Sequence, residues 1–323
     1  MHVKKKLLAL NTARGNKMSF FDTEVMTDKT GNGTGARFNR FLANIQVTDY
    51  QTNDAVTKHE RIRRALHAEY YSTPYSTTTS LLIGSYGKKT SVRPPRDIDL
   101  IFILPENVRS KFPYFTDNIQ SRILQEIKLK LQRLFPLTKM SADGPVIYIP
   151  FSDSSFSVEV VPAFKRVSGG YDVCYTKNGG SWGVAYPEIE AAQLVNSNQR
   201  TDGNTTKLIK MIKVWQYFCN VELESFAIEI LCQEFLRSYS HASKTSVYYD
   251  YMVRDFFKFI SERWSGTVSK PGTLFDEINI NPDLWKSKAK SAYLRAQKAC
   301  ELEAFPTSAN VEWRKIFGDY FVG

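Results

Sequence analysis

"LLIGSYGKKTSVRPPRDIDLIFIL", residues 81–104, is the stretch whose reading decides the fold. An apolar run ends in Gly84-Ser85, a basic turn follows, and a second apolar run carries Asp97 and Asp99. Successive side chains of a strand point to opposite faces, so Asp97 and Asp99 share one face while Ile98 and Leu100 share the other. The two aspartate Cα atoms then lie roughly 6.5 Å apart. Carboxylates that close repel each other and resist burial. A hard divalent cation removes that penalty, because oxygen is its preferred ligand. The plain alternative is a strand edge with a solvated acidic face, and the preceding segment weighs against it. A strand that ends in Gly-Ser leaves backbone N–H groups free for a phosphate. Gly84 permits close backbone approach, the Ser85 hydroxyl adds a donor, and Lys88 and Lys89 add positive charge.

A third acid stands in "SFSVEVVPAF", where Glu159 lies between Val158 and Val160 on an apolar strand. Facing the first two, it would complete a site for two divalent ions roughly 3.5–4 Å apart, an arrangement that activates an attacking hydroxyl and stabilises a leaving pyrophosphate. A sheet-edge glutamate paired with a lysine is the other reading. Asp153, in the turn-like "SDSS", is a poorer third ligand.

Outward from this centre, Phe38, Phe41, Leu42 and Ile45 recur at helical spacing, as do Val56, Ile62, Leu66 and Tyr70, which predicts one long helix or two before the first strand. Strands are expected at 80–85, 97–104, in "PVIYIPF", in "FSVEVVPAF" and, more weakly, in "YDVCYT". Residues 116–135 read as an amphipathic helix capped by Thr116 or Asp117, and "KNGGSWG" (177–183) reads as a Gly-rich loop. From Pro187 onward the pattern is almost wholly helical. The expected organisation is an N-terminal arm (1–36), a mixed α+β half (37–186) and a helical half (187–323), with the ligand site in the cleft between the halves.

Composition narrows the function classes. The chain has 323 residues, 42% hydrophobic and 24% charged, as expected of a globular protein of one large or two ordinary domains. Apolar runs such as "DLIFILP" are far short of a membrane span. The apolar core of "MHVKKKLLALNTARG" is too short for a signal peptide. The expectation is a cytoplasmic protein with no membrane partner. Cys174, Cys219, Cys232 and Cys300 form no Cys-x-x-Cys pair, and the four histidines have no metal-ligand spacing, so a zinc site is not expected. A net charge of +10 suits a polyanionic partner, either nucleic acid or nucleotide phosphates.

"GSYGKKTSVRPPRDIDLIFIL" resembles the Gly-Ser…Thr…Asp-x-Asp signature of the polymerase-β-like nucleotidyltransferases. More narrowly, the chain resembles the bacterial cyclic-oligonucleotide synthases of anti-phage defence (the CD-NTases), relatives of cyclic GMP-AMP synthase and oligoadenylate synthase. The likeness extends through "VEVVPAF", "TTKLIKMIKVW", "LESFAIEIL" and "EWRKIFGDYF". It implies a mixed nucleotidyltransferase sheet with helices, packed against a C-terminal helical bundle.

The resemblance also implies roles. Gly84 and Ser85 would hold the donor triphosphate, and Asp97, Asp99 and Glu159 would hold two Mg2+ (or Mn2+) ions. Lys210 and Lys213, three apart on a helix, would reach phosphates. Ser225 would touch the terminal phosphate, and Phe226 would stack on the donor base. Solvated lysines and a core phenylalanine are the alternatives. Many relatives carry Asp where Glu159 stands; the longer side chain shifts the ligand geometry. Trp182 and Tyr186 would line a base pocket or anchor their loop on the helical half.

The implied product is a cyclic di- or trinucleotide made from nucleoside triphosphates, ATP among them and the second nucleotide open. It would act on a separate effector, and no nucleic acid would be required. Gly323 would permit attachment by a ligase-like regulator. Two other readings stay open: a linear RNA or tRNA nucleotidyltransferase or toxin, and a non-catalytic nucleic-acid-binding protein that retains the fold.

Overall fold

The computed structural model describes residues 33–112, 118–151, 156–273 and 276–322. Helix α1 (Thr34–Ile45) and helix α2 (Asp49–Tyr70) precede the first strand. They are separate helices. Thr48 starts the second with a capping box: its hydroxyl accepts from Gln51 N, and the Gln51 side chain accepts from Thr48 N, a cap that stabilises a helix by about 1 kcal/mol. The buried stripe of α2 runs through Ala55, His59, Ile62, Leu66 and Tyr70. Val56, expected on that face, is 52% exposed. A stripe that includes Ala55 and His59 keeps the three-to-four spacing back from Ile62, and Val56 falls outside it.

Strand β1 (Ser80–Ile83) leads into the single helical turn α3 (Gly84–Gly87). Strand β2 (Asp97–Leu104) follows, then α4 (Glu106–Ser110) and α5 (Ile119–Leu134). The cap of α5 is Asn118, which accepts from Ser121 N at 2.9 Å. Thr116 and Asp117, the expected caps, lie outside the described residues, as does Asp153.

Strands β3 (Ser141–Asp143), β4 (Val146–Pro150), β5 (Ser157–Lys165), β6 (Tyr171–Tyr175) and β7 (Ser181–Ala185) complete a seven-stranded sheet. Its order is β1-β2-β5-β4-β3, with β6 beside the far end of β5 and β7 beside β6. Only the β2–β5 pair is parallel among the pairings described. The segment Ser181–Ala185, expected as part of a loop, is a strand: only Asn178, Gly179 and Gly180 take positive φ, and they make the turn of a β6–β7 hairpin.

Ile98, Leu100, Val158 and Val160 bury one face of this sheet under α2 and α5, together with Ile62, Leu66, Ile123 and Ile127. The opposite face carries a smaller cluster around Ile101, Ala163 and Val173.

Helices α6 (Pro187–Arg200), α7 (Asn204–Phe218), α8 (Ser225–Ser238), α9 (Tyr249–Glu262), α10 (Lys286–Glu301) and α11 (Pro306–Phe317) form the second half. A two-stranded ribbon interrupts them, β8 (Thr267–Ser269) with β9 (Glu277–Asn279), which helical periodicity does not announce. Helix α1 falls in the span grouped with the mixed half, yet its apolar face belongs to the helical core. Phe38 meets Trp313 edge-on at 5.1 Å and Phe321 at 5.2 Å, and Phe41 lies 4.6 Å from Phe317. Large aromatic surfaces from both chain ends bury one another there.

Candidate active site

The two halves leave between them a cavity of about 940 Å³. Its floor is the start of β2 and the turn after β1. Gly84 has φ +58°, and a Cβ built there would lie 1.8 Å from Asp99 Oδ2. Only glycine therefore lets the turn close over the carboxylate while holding that backbone conformation. Gly84, Ser85, Asp97 and Asp99 all line the cavity.

Glu159, on β5, stands on the same sheet face as the two aspartates but is not among the residues that line the cavity. The parallel register sets Asp97 opposite Ser157 and Asp99 opposite Glu159, and side chains opposite one another on adjacent strands share a face. Electrostatics report the resulting closeness. Burial, and then Asp97, push Asp99 up to about 6. Burial, then Asp99 and Asp97, push Glu159 up to about 7. Burial also raises Asp97, against a smaller opposing effect from Arg96.

Among the described residues, no hydrogen bond or ion pair engages the three carboxylates, and no group of His, Cys, Asp or Glu stands already gathered into a metal cage. The donor set nevertheless fits a hard divalent cation: three oxygen-bearing side chains on one face, unpaired, each held above its ordinary pKa by burial, with neighbouring carboxylates adding to the rise of Asp99 and Glu159.

The other wall is basic and already compensated. Lys213 lines the cavity from α7 and donates to Glu229 Oε1 at 2.7 Å and to Thr90 Oγ1 at 3.0 Å. Lys88 lies 2.5 Å from Glu229 Oε2 and 3.7 Å from Glu190 Oε2, with its ammonium 4.5 Å above the Phe226 ring. Ser225 and Phe226, at the start of α8, also line the cavity.

Several expected site residues sit elsewhere. Lys210 is not among the cavity-lining residues: its ammonium donates to Gln46 Oε1 at 2.8 Å, and burial, then Lys213, depress it to about 8. A helical step of three residues carries its ammonium toward the end of α1 rather than the cleft. Lys89 is exposed. Trp182 packs edge-on against Phe164, with the Arg109 guanidinium 4.8 Å from its ring. Tyr186 lies against Gly170 and Gly272. Neither lines the cavity; Tyr175 and Tyr217 supply its aromatic edges instead. Contact with Gly272 anchors Tyr186 against the helical half, the second of the two roles its loop position allowed.

Sequence reasoning passed over Glu229 altogether. Its signal was present: an acid between Ile228 and Ile230 in an otherwise apolar helix is a buried charge that needs partners.

Comparison with known proteins agrees with this geometry. Residues 33–198, just over half of the chain, match the Second Messenger Oligonucleotide or Dinucleotide Synthetase domain family (SMODS). A curated relative, described as a probable cyclic nucleotide synthase of Bacillus cereus (strain VD146), is 21% identical over 272 residues, covering 74% of this chain and 80% of its own length. Among solved structures, the Vibrio cholerae DncV cyclic AMP-GMP synthase bound to the linear intermediate pppA(3',5')pG superposes with a TM-score of 0.71 at 13% identity, over 90% of this chain and 97% of that one. The E. coli MS115-1 CdnC structure with ATP gives 0.64 at 17% identity, over 90% and 99%. CdnC is also similar in its complex with HORMA-deltaN.

The fold and the family match together define a nucleotidyltransferase. The chain belongs to the SMODS family, within the CD-NTases, and is of the cyclic-oligonucleotide synthase class. Among the described residues, no helix is long and apolar enough to cross a membrane.

Proposed function

We propose that the chain joins nucleoside triphosphates into a cyclic di- or trinucleotide, with ATP as a donor, and that its product signals to a separate effector in anti-phage defence. The observation that carries this reading is the asymmetry of the cavity: three unpaired carboxylates share one sheet face on β2 and β5, and two of them, Asp97 and Asp99, line a space of nucleotide size whose walls also bear Lys88 and Lys213. A ligand that satisfies both walls carries divalent cations and phosphates together.

In this reading the donor triphosphate lies along the turn at Gly84, with the Ser85 hydroxyl on a phosphate oxygen. Lys88 and Lys213 balance its charge, Ser225 meets the terminal phosphate, and Phe226 stacks on the donor base. Asp97, Asp99 and Glu159 would hold two Mg2+ (or Mn2+) ions, which when bound neutralise the triphosphate and ease deprotonation of the attacking hydroxyl.

The ribose hydroxyl of a second nucleotide attacks the donor α-phosphorus in line. One O–P bond forms, the bond between the α-phosphorus and its bridging oxygen breaks, pyrophosphate leaves, and the hydroxyl proton passes to solvent. The side chains contribute position and charge rather than covalent chemistry. Repeated transfer, ending with one within the linear product that expels its own pyrophosphate, closes the ring. Gly323, the expected attachment point of a ligase-like regulator, lies outside the described residues.

The test is incubation with four labelled nucleoside triphosphates and Mg2+ or Mn2+, without RNA. A phosphatase-resistant product from the wild type supports the reading. Only linear, phosphatase-sensitive products would replace it with a tailing activity.

A further inference from the structure

Glu229 takes no part in the reaction described above, yet it is 3% exposed and has three polar partners. Its Oε1 accepts from Thr90 Oγ1 at 2.8 Å and from Lys213 Nζ at 2.7 Å, and its Oε2 pairs with Lys88 Nζ at 2.5 Å. The partners come from both sides of the cleft. Lys88 and Thr90 belong to the loop that joins α3 to β2, directly after Ser85, whereas Lys213 and Glu229 stand on α7 and α8.

Two lysines in this wall face two physical problems. Burial disfavours the charged form of Lys213, and the like charges of Lys88 and Lys213 repel. Their long stems also leave the ammonium positions undetermined. A carboxylate between them answers both. Burial lowers Lys213, and Glu229 offsets part of that effect. Burial pushes Glu229 up, but Lys213 and Lys88 outweigh it and hold the carboxyl below its ordinary value, so the anion persists.

We infer that Glu229 is a positioning residue for the donor triphosphate: it fixes the Lys88 and Lys213 ammoniums at the cavity wall and ties the Ser85 loop to the helical half. The inference rests on the reading of this cavity as the nucleotide site. It makes a specific demand, that Glu229 affects phosphate binding only through the two lysines.

The experiment measures binding of inorganic tripolyphosphate in magnesium buffer by calorimetry, with circular dichroism confirming that each variant is folded, alongside KM and kcat for nucleoside triphosphate. Glu229→Gln keeps the shape and removes the charge. The expected result is an increase of about tenfold in both the tripolyphosphate Kd and KM, with kcat changed far less. In a Lys88→Met/Lys213→Met background, adding Glu229→Gln should change Kd less than about twofold, because residues that act as a unit are not additive.

An undiminished tenfold loss in that background, or Glu229→Gln binding as tightly as wild type or tighter, would overturn the inference. The tighter result would show a carboxylate that competes with phosphate. Should Glu229→Gln not fold, Thr90→Val removes one partner of the carboxylate and leaves its charge. About a threefold rise in Kd is then expected, and an unchanged Kd would refute the positioning role. Wild-type protein that binds no tripolyphosphate would instead remove the nucleotide-site reading, and this inference with it.

Discussion

The two walls of the cleft treat buried charge in opposite ways. On the sheet side, Asp97, Asp99 and Glu159 share a face and, among the described residues, have no countercharge in hydrogen-bond contact; burial raises all three, and neighbouring carboxylates raise Asp99 and Glu159 further. Lys88, on the loop after α3, and Lys213, on α7, are instead satisfied within the protein, both by Glu229 and the second also by Thr90. A wall left uncompensated is incomplete without its ligand, whereas a compensated wall is rigid before the ligand arrives. In the proposed reading the first takes cations and the second presents positive charge to an anion.

The largest test of this contrast is Asp97→Ala/Asp99→Ala. Loss of the cation ligands removes several kcal/mol of transition-state stabilisation, which amounts to a loss of about a thousandfold or more. Product formation from labelled triphosphates, compared with wild type, checks it. Equal product from both proteins would remove the carboxylates from the site.

Next in size is Gly84→Ala. Its Cβ would overlap the Asp99 carboxylate, and its backbone would be held at φ +58°. Displacing a reacting-centre ligand by about 1 Å costs on the order of a hundredfold in rate, and the backbone strain costs about 1 kcal/mol of stability. Turnover and thermal melting measured together separate the two effects.

The uncompensated wall also makes a statement about pH. Asp99 rises from an ordinary 3.8 to about 6, and Glu159 from 4.5 to about 7. The folded chain therefore holds these protons more tightly than the unfolded chain. Their contribution to stability is fully present below about pH 4, is lost as pH rises through about 6 and 7, and leaves a net penalty above that window. In chelator-treated protein, Mn2+ should then raise the melting temperature at pH 8 and do little at pH 5. An equal rise at both values would show that the cation binds elsewhere.

Smaller effects come from the helical wall. Phe226→Ala should raise KM about five- to tenfold through lost base stacking, a contribution of roughly 1 kcal/mol, while Phe226→Tyr should keep most of it. Steady-state kinetics with ATP would show this. Smallest of all is Lys210→Met, which should alter KM less than about twofold, because the Lys210 ammonium is committed to Gln46. A tenfold rise in KM would place Lys210 back among the phosphate contacts.

Local pattern was enough for much of the molecule. Alternation placed Asp97 and Asp99 on one face and bounded β2 at Asp97–Leu104, as observed. Helical spacing marked the chain from Pro187 onward as almost wholly helical, because three-to-four periodicity is written in contiguous residues. The β8–β9 ribbon escaped, since strands of three residues carry too little alternation to register. Trp182 and Tyr186 stayed open between two places for a related reason: an aromatic in a Gly-rich segment reads alike whether it faces a pocket or packs on a neighbouring element. Val56 and Ala55 differ by one position, about 100° around a helix, and apolar identity could not choose between them.

By itself, then, the sequence determined the chemistry on offer: three acids in alternating strands, a Gly-Ser turn before them, and helices bearing lysines. Tertiary structure alone decided which charges meet. The parallel β2–β5 register set Glu159 beside Asp99, and the packing of α7 and α8 against the Ser85 loop set Glu229 between Lys88 and Lys213 while turning Lys210 toward α1. The reason is range. Which face a side chain takes is a local property of the backbone, whereas the pairing of charges 60 to 140 residues apart in the chain exists only once the elements have packed.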